Sequence, residues 1–387
     1  MTYPIISSDG HVNESDAMWT RVPERFRDLA RTRFDKRDDG LVMSFHGSKV
    51  FVPKFDRELT EDERDREFRR DPSGGTDLAR RAAEQARDGV SAEVVFPNSL
   101  LALGTSSNAE FNLAVACAYN DWVHEVFAPA RGRIVAAAQI PVDDIAAAVQ
   151  EAERCLALGF RTLMVPCAYA WRPYDRPEYE PLWSLIEESG VPLNFHVFTG
   201  NVFFGTDFAS VEQMTADEFT ERRLATSELE HRVERLSTTV IGMAAGMGPI
   251  VHLTGGGVLE RHPRLRFVVT EAESGWLAWT LHAMDAMQNR RRLGLKTLSM
   301  RPSEYFKRQG AATICDDPVA LALLDFTGTH TLLWGNDYPH DEGTFPRSEP
   351  YRERIRRATT PEGAKAILAG NAARLYGFDL EEIAQAA

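Results

Sequence analysis

The chain has 387 residues and a formal net charge of −13, with 43% hydrophobic and 26% charged residues. These values are ordinary for a globular protein with a large core, and the length fits one large barrel as well as two or three smaller domains. No block of basic residues stands out, so we expect no nucleic acid and no anionic membrane surface as a partner.

Eight short apolar runs alternate with longer helical patterns along the chain. The predicted strands are, in order, Tyr3–Ser8, Val90–Pro97, Gly132–Pro141, Arg161–Pro166, Val191–His196, Leu265–Thr270, Ala311–Cys315 and Thr331–Gly335. Amphipathic stretches between them predict helices at Asn108–Phe127, Asp143–Leu158, Gly275–Asn289 and Pro318–Phe326. Buried parallel strands have continuous apolar sequences and are separated by crossover helices. Eight such units predict an α/β fold of the (β/α)₈ TIM barrel class.

Two segments do not fit the repeat and are predicted to be insertions. They cover residues of about 13–75, after the first strand, and about 199–248, after the fifth strand; the first contains a hairpin-like piece at Leu41–Lys54. Loops that follow barrel strands lie at the C-terminal face, where barrel enzymes keep their active sites. We therefore expect cap or lid segments, with contacts between subunits as an equal alternative for the second. No linker divides the chain, which predicts a single domain over residues 1–387.

Four residues that can bind a metal lie at the ends of predicted strands. Asp9 and His11 follow the first strand, His196 ends the fifth, and Asp337 lies just past the eighth. Residues two apart in an extended chain point to the same side, so Asp9 and His11 can bind one ion together. Imidazole and carboxylate groups suit zinc, manganese or iron, and three or four protein ligands leave a position open for water. The pattern predicts one divalent metal ion at the C-terminal face and admits Zn²⁺, Mn²⁺ or Fe²⁺.

The sequence resembles the amidohydrolase superfamily, in the branch that contains aminocarboxymuconate semialdehyde decarboxylase and its relatives. Asp9-Gly10-His11 resembles the metal-binding motif of that superfamily, and four further segments resemble recurring segments of the branch: Gly257–Asp285, Arg301–Gln309, Leu332–Ser348 and Ile367–Gly377. The resemblance implies a (β/α)₈ barrel with one catalytic divalent metal, often zinc, and a homodimer. It also implies that Asp9, His11, His196 and Asp337 occupy the ligand positions.

Two positions depart from the prototype decarboxylase of that branch. The prototype has His where this chain has Asp9, and a catalytic His where this chain has Glu271. With Asp337, three carboxylates would then face an ion of charge +2, and Glu14 is a candidate fourth that could bond a ligand or lie at the surface. Such a site repels a carboxylate substrate, which favours hydrolysis of a neutral molecule. Arg172, in the loop after the fourth strand, would reverse this preference if it binds an anionic substrate.

Three residues are the candidates for acid–base chemistry. Asp337 could take a proton from a water activated by the ion and deliver it later, or deliver it to carbon in a decarboxylation. Glu271 is the second candidate for this role. His340 resembles the histidine of a recurring DYPH segment in the family, and we expect it to orient Asp337.

Three hypotheses for the function follow. The first is a metal-dependent hydrolase that acts on a small amide, imide, lactone or ester. The second is a non-oxidative decarboxylase of an aromatic or unsaturated carboxylic acid, which carbon dioxide release would distinguish. The third is a ligand-binding barrel without catalysis, which the intact ligand set disfavours. All three predict a small-molecule ligand.

The cysteines and the N-terminal sequence predict the compartment. The four cysteines are scattered without a CxxC pair, which favours free thiols in a reducing compartment. The first residues contain no signal-peptide pattern, and no apolar run reaches the length of a membrane span. We expect a cytoplasmic protein.

Overall fold

Eight parallel barrel strands organise the chain. The computed structural model describes residues 3–30, 33–37, 40–45, 48–53, 75, 77–106, 108–168, 172–200, 228–288, 290, 298–340 and 342–386. The strands are β1 (Ile6–Ser7), β2 (His11–Val12), β3 (Arg33–Arg37), β4 (Gly40–Phe45), β5 (Ser48–Pro53), β6 (Ala92–Pro97), β7 (Ile134–Ala136), β8 (Ala138–Gln139), β9 (Leu163–Ala168), β10 (Leu193–Gly200), β11 (Phe267–Thr270), β12 (Gly310–Ile314) and β13 (Leu332–Trp334). Each of the eight predicted apolar runs contains a strand, and the predicted fold class is confirmed.

Backbone hydrogen bonds connect all of these strands except β3, β4 and β5 into a closed ring, in which β1 with β2 and β7 with β8 each count as one of the eight barrel strands. β6 pairs in parallel with β1, β2 and β7, and the strands from β8 to β13 pair in parallel in chain order. β7 and β8 form one barrel strand that is interrupted at Ala137, whose N–H donates to the carbonyl oxygen of Val95. The ring closes where the N–H of Ser8 donates to the carbonyl oxygen of Trp334 over 2.8 Å. Closure brings residues that follow the first and eighth barrel strands side by side.

Helices cover the outside of the barrel. They are α1 (Asp16–Trp19), α2 (Glu24–Ala30), α3 (Leu78–Arg87), α4 (Ala109–Val126), α5 (Ile145–Leu158), α6 (Glu180–Ser189), α7 (Glu228–Ala244), α8 (Met247–Gly255), α9 (Val258–Arg261), α10 (Leu277–Gln288), α11 (Pro302–Gln309), α12 (Pro318–Ala322), α13 (Leu324–Thr327), α14 (Glu349–Ala358), α15 (Pro361–Lys365), α16 (Asn371–Tyr376) and α17 (Leu380–Ala386). The helix predicted at Pro318–Phe326 is two short helices, because Leu323 leaves helical geometry between them. None of the helices within the described ranges is long and apolar enough to cross a membrane.

Local sequence signals set the ends of the longer helices. Asn108 and Asp144 precede α4 and α5, and the side chain of each accepts a backbone N–H from the first turn. This capping satisfies donors that have no partner inside the helix. Gly159 ends α5 with a φ of 90°, a conformation that glycine adopts without strain.

Apolar side chains fill the inside of the barrel below its C-terminal mouth. Ile6, Val94, Met164, Val268 and Leu333 belong to this interior cluster and are buried. Side chains alternate between the two faces of a strand, so the residue two positions further along each strand also points inward. Two of those next residues, Ser8 and Thr270, are polar, and Asp9 and Glu271 directly follow them at the mouth.

The insertions are partly described. After β2, helices α1 and α2 precede an antiparallel sheet in the order β3–β4–β5, in which β4 and β5 correspond to the predicted hairpin. β3 was not predicted because its sequence RFDKR is mostly charged. After β10, helix α7 begins at Glu228, and residues 201–227 of the predicted second insertion lie outside the described ranges. The single-domain assignment stays a prediction.

Candidate metal centre

The barrel brings the predicted ligands together at its C-terminal mouth. Asp9 follows β1, His11 begins β2, His196 lies in β10, and Glu271 directly follows β11. One donor atom from each of these four residues lies within 4.8 Å of the others. A second, overlapping group of the same kind consists of His11, Glu271, Asp337 and His340. The strand ends that the sequence identified therefore meet in space, and Glu271 lies at the centre of both groups.

The distances between donor atoms suit one shared ion. His11 Nε2 lies 3.1 Å from Glu271 Oε2, 3.2 Å from Asp337 Oδ1 and 3.7 Å from Asp9 Oδ1. His196 Nε2 lies 3.1 Å from Glu271 Oε2 and 3.5 Å from Asp9 Oδ1. Two ligands that each lie about 2.0–2.2 Å from a metal ion are about 2.8–3.6 Å apart at octahedral or tetrahedral angles.

Hydrogen bonds fix both imidazole rings with one nitrogen facing the cluster. His11 Nδ1 lies 2.8 Å from the carbonyl oxygen of Pro97, and His196 Nδ1 lies 2.9 Å from that of Val197. A carbonyl oxygen only accepts, so each Nδ1 carries the hydrogen and donates it. In the neutral ring the lone pair is then on Nε2, the atom that faces the carboxylates. This arrangement is typical of metal-binding histidines.

Two of the carboxylate residues have left-handed backbone conformations. The φ angles are 61° at Glu271 and 55° at Asp337, a region that residues other than glycine rarely adopt. The backbone N–H of Glu271 donates to Thr313 Oγ1, and that of Asp337 donates to the carbonyl oxygen of Asp9. These bonds help to hold both residues in a conformation that costs about 1–3 kcal/mol, and such local strain is common at functional sites.

Several buried polar atoms of the cluster have no hydrogen-bond partner among the described residues. They are Asp9 Oδ1, His196 Nε2, Asp337 Oδ1 and His340 Nδ1. Buried polar atoms are nearly always satisfied, so a set of unsatisfied ones that converge on a point indicates a missing partner. A divalent cation fits this donor set of imidazole nitrogens and carboxylate oxygens.

The charges in the cluster shift its pKa values strongly. Burial alone would lower the pKa of His196, but the negative charges of Glu271 and Asp9 outweigh it and raise that pKa to about 10. Burial raises the pKa of Asp9 to about 6, although His196 acts in the opposite direction. For Glu271, burial acts upward, but His196 and His11 hold the pKa well below its usual range. A metal ion that binds here would displace the protons on Nε2 of His11 and His196.

His340 is in direct contact with Asp337 and with His11. Its Nδ1 lies 3.0 Å from Asp337 Oδ1, and its ring stacks on that of His11 with centroids 3.9 Å apart. Its Nε2 lies 3.2 Å from Asn98 Oδ1, which only accepts, so Nε2 carries a hydrogen. Burial would lower the pKa of His340, but the charge of Asp337 outweighs burial and raises it to about 10. His340 and Asp337 therefore form an ion pair at the edge of the cluster.

Glu14 is placed differently from the sequence-based expectation. Its carboxylate oxygens accept the backbone N–H groups of Asn98, Ser99 and Leu100 over 3.0–3.1 Å. These N–H groups begin the 3₁₀ helix Ser99–Thr105, which follows β6. Glu14 is neither in the metal-binding groups nor on the surface; it anchors a neighbouring loop. Burial raises its pKa, and the backbone hydrogen bonds oppose this.

Arg172 is exposed and lies on the wall of a cavity beside the cluster. The cavity has a volume of about 110 Å³. Most of its wall is apolar, with Leu101, Ile140, Met164 and Pro166 among the lining residues. Pro166 is the register partner of His196, so the cavity adjoins the strand that carries this ligand.

A buried ion pair behind the cluster was missed from the sequence. Arg81, on α3, donates to both carboxylate oxygens of Glu93 over 2.6 and 2.8 Å and to the carbonyl oxygen of His11 over 2.6 Å. Both side chains are buried. A charged residue inside the apolar run of β6 was the signal that could have identified it. Through its hydrogen bond to the carbonyl oxygen, Arg81 holds the backbone of His11 in place.

Comparison with known proteins places the chain in context. The family model described as Amidohydrolase matches residues 8–378. Among proteins with curated descriptions, none matches this chain by sequence.

Solved structures with low sequence identity share the fold over nearly the whole chain. An amidohydrolase from Mycobacterium avium subsp. paratuberculosis K-10 is 19% identical with a TM-score of 0.73, covering 98% of this chain and 100% of its own. The 5-carboxyvanillate decarboxylase from Sphingomonas paucimobilis is 18% identical with a TM-score of 0.62, covering 98% and 100%. A dihydroxybenzoic acid decarboxylase from Polaromonas sp. JS666, with bound manganese and the inhibitor 2-nitroresorcinol, is 16% identical with a TM-score of 0.65, covering 97% of each chain.

Proposed function

We propose the following function for this chain, which belongs to the amidohydrolase family: it is a metal-dependent decarboxylase of a small aromatic carboxylic acid. The observation that carries the proposal is the contact of 3.0 Å between His340 Nδ1 and Asp337 Oδ1 beside the metal-binding groups. Decarboxylation needs a proton donor for the carbon atom that loses carbon dioxide, and this pair holds a proton there. Two structures that share the fold are named decarboxylases of aromatic acids, which supports the same reading.

The charge of the site is compatible with a carboxylate substrate. The sequence suggested that three carboxylates around an ion of charge +2 would repel an anion. The Asp337 carboxylate raises the pKa of His340, and the contact of 3.0 Å between them allows His340 to carry a positive charge. The divalent ion and His340 together balance Asp9, Glu271 and Asp337. This removes the electrostatic reason for preferring hydrolysis, which was our first expectation from the sequence.

The residues present can bind the substrate and move one proton. A divalent ion held by Asp9, His11, His196, Glu271 and Asp337 would supply Lewis acidity that draws electrons from the substrate. The apolar wall beside His196 packs against the ring and excludes water from it. Arg172 lies at the wall of the same cavity as the cation available to an anionic group.

The proton path follows from the contact between His340 and Asp337. As the bond between the ring carbon and the carboxyl carbon breaks, its electron pair stays on the ring carbon and carbon dioxide leaves. Asp337 Oδ1 delivers a proton to that carbon, and His340 Nδ1 supplies the proton to Asp337. A proton from the buffered solvent then returns to His340, so the overall reaction takes up one proton and consumes no water.

The donor set admits more than one metal. Three carboxylates and two imidazoles suit Mn²⁺ and Fe²⁺ as well as Zn²⁺, which the sequence favoured. Metal analysis of protein purified without chelators, followed by reconstitution with each ion in turn, identifies the ion that supports activity. A protein that retains none of them after reconstitution would favour the third hypothesis, a ligand-binding barrel without catalysis.

Carbon dioxide release tests the proposed function. We expect the metal-loaded enzyme to release one carbon dioxide per aromatic acid consumed, within a panel of benzoic acids that carry different ring substituents. Asp337→Asn, loaded with metal, is the matched control and should be at least about a hundredfold slower. Turnover of amides, lactones or esters without carbon dioxide release would contradict the proposal and restore the hydrolase hypothesis.

We also propose a homodimer in the cytoplasm, as the sequence predicted. The four cysteines are free, which is compatible with a reducing compartment. Sedimentation analysis tests the oligomeric state, and a monomer at micromolar concentration would contradict it.

A further inference from the structure

Gln139 lies at the inner face of the barrel beside the proposed metal site. It ends β8, and Val135 and Ala137, four and two residues earlier, belong to the apolar cluster that fills the barrel. Alternation along the strand therefore turns the side chain of Gln139 inward. The residue is 6% exposed and lines the cavity that contains Arg172.

Hydrogen bonds fix the orientation of the Gln139 amide. Its Nε2 donates to the carbonyl oxygen of Leu100 over 2.6 Å, and its backbone N–H donates to Asn120 Oδ1 over 2.8 Å. The amide cannot be reversed, because two oxygens would then face each other at Leu100. Its Oε1 is buried and has no hydrogen-bond partner among the residues that the structure describes.

Asn112 repeats this arrangement further out in the same cavity. Its Nδ2 donates to the carbonyl oxygen of Ser106 over 2.9 Å and to Asp143 Oδ2 over 3.0 Å. Both amide hydrogens are used, which leaves Oδ1 as an acceptor with no partner within the described ranges. Two buried acceptors on the wall of one cavity each lack a donor, although buried acceptors are nearly always satisfied.

The size and wall of the cavity define what can supply those donors. Its volume of about 110 Å³ is close to the cavity of about 150 Å³ that holds a benzene molecule in a well-studied engineered protein. Its apolar lining suits the faces of a ring, and the ring must carry a hydrogen-bond donor to satisfy the amide oxygens.

We propose that Gln139 and Asn112 select aromatic substrates that carry a donor substituent, hydroxyl or amino, on the ring. This inference rests on the proposed function in one respect, which is that the substrate also carries a carboxyl group. Gln139 Oε1 accepts from the substituent nearer the barrel axis, and Asn112 Oδ1 accepts from one that points towards Arg172. A methoxy group, which has no hydrogen to donate, leaves the acceptors unsatisfied and is rejected.

Binding of rings without a carboxyl group tests this separately from turnover. Phenol, aniline and anisole bind without being decarboxylated, and ligand-observed NMR gives their affinities for the metal-loaded enzyme. We expect phenol and aniline to bind about tenfold more tightly than anisole. Gln139→Met, which keeps the length of the side chain but removes the acceptor, should reduce this preference to about twofold or less.

Three further variants separate recognition from structural support. Gln139→Glu loses the donor to Leu100 as Gln139→Met does, but it keeps an acceptor oxygen and should keep the preference, so the comparison separates the acceptor from the lost hydrogen bond. Asn112→Leu, which removes the other acceptor, carries the test if Gln139→Met does not fold. Gln288→Met is the matched control, because Gln288 Nε2 also donates to a backbone carbonyl, that of Met300, outside the cavity. The control should bind like the wild type.

The outcomes distinguish this proposal from the proposed function. An equal preference in the wild type and Gln139→Met, or its loss in Gln288→Met, overturns the role of Gln139. Retention of the preference without carbon dioxide release from any acid supports the role of Gln139 and contradicts decarboxylation. A preference for phenol but not for aniline restricts the substituent to hydroxyl and supports the proposal for that group.

Discussion

At the scale of single residues, the metal centre depends on two imidazoles whose orientation is fixed by backbone carbonyl groups. Pro97 and Val197 hold Nδ1 of His11 and His196, so both Nε2 atoms face Glu271 Oε2 at 3.1 Å. The fixed rings reduce the entropy that metal binding would otherwise cost. The carboxylates supply negative charge, and the imidazoles supply two nitrogen atoms in fixed positions.

His196→Ala should abolish metal binding while the fold is retained. The change removes one of two oriented imidazoles, whereas the apolar barrel interior remains packed. Metal content by mass spectrometry should fall below about a tenth of the wild-type value. Loss of a residue that merely supports a ligand typically weakens metal affinity by about 10–100-fold, and loss of the ligand itself should weaken it more. His330→Ala, at an exposed position, is the control and should bind metal normally. Stoichiometric metal in His196→Ala would show that His196 is not a ligand.

Asp337→Asn should affect the rate more than metal retention. The amide keeps an oxygen near His11 and His340 but cannot hold the proton that His340 supplies. We expect near-stoichiometric metal and a turnover lower by about 10²–10⁴-fold. A metal-free variant would identify Asp337 chiefly as a ligand. Full turnover would assign proton transfer to another group, and Glu271 would be tested first.

At the scale of elements, buried polar side chains hold loops and helices against the barrel mouth. Arg81 links α3 to β6 through Glu93 and to β2 through the carbonyl oxygen of His11. Glu14 links the segment after β2 to the start of the 3₁₀ helix at Ser99. These contacts join the first two barrel strands beyond their short ladder of backbone hydrogen bonds.

Glu14→Gln should destabilise the protein without removing the metal. One amide oxygen replaces two carboxylate oxygens, so at least one of the three backbone N–H groups at Asn98, Ser99 and Leu100 loses its acceptor. The expected loss in the free energy of unfolding is about 1–3 kcal/mol, measured by urea denaturation. Glu178→Gln, at an exposed position, should change it by less than about 0.5 kcal/mol. An equal effect of both substitutions would argue against the anchoring role.

At the scale of the whole molecule, the free energy of unfolding depends on pH through buried groups whose charged form is disfavoured inside the fold. Burial raises the pKa of Asp143 in the folded state, although its hydrogen bond from Asn112 opposes the shift. The native state then binds more protons than the unfolded state above the unfolded pKa, so stability decreases as the pH rises through the folded pKa. Stability that Asp143 contributes is fully present below its unfolded pKa.

Asp143→Asn should remove this part of the pH dependence. Asn keeps an acceptor for Asn112 but does not titrate. The free energy of unfolding of the variant, relative to the wild type, should therefore increase between pH 4 and pH 7. Urea denaturation at both pH values measures this difference. Asp325→Asn, at an exposed position, is the control. Asp144→Asn is unsuitable as a control because Asp144 caps α5. A difference that does not change with pH would contradict the expectation.

Metal removal should destabilise the whole barrel. The proposed metal ligands come from the first, fifth, sixth and eighth barrel strands, so a bound ion would cross-link the ring across the mouth. Metal at about 1,000 times its dissociation constant would stabilise the native state by about 4 kcal/mol. For a chain of this length that corresponds to a decrease of about 5 °C in melting temperature when a chelator is added. His196→Ala should show no such shift, and an equal shift in that variant would assign the effect to another site.

The order of the strands and the positions of the ligands could be predicted from the sequence, because both depend on local patterns. The apolar runs Tyr3–Ser8 and Val191–His196 have the length and composition of buried strands. Polar residues mark their ends: Asp9 follows the first run, and His196 is the last residue of the second. Parallel strands in a barrel end on one face, so their terminal residues must converge. The family resemblance added the likeness to decarboxylases, which the charge of the site had led us to rank second.

Only the tertiary structure decided which atoms meet across the barrel mouth. Glu271 Oε2 lies between His11 and His196 because ring closure brings β11 opposite β2, a contact between residues 260 positions apart. The inward orientation of Gln139, the anchoring role of Glu14 and the pair of Arg81 with Glu93 also depend on such distant contacts. Hydrophobic periodicity is a local property of the chain, whereas the partner of a buried polar group is set by packing between elements.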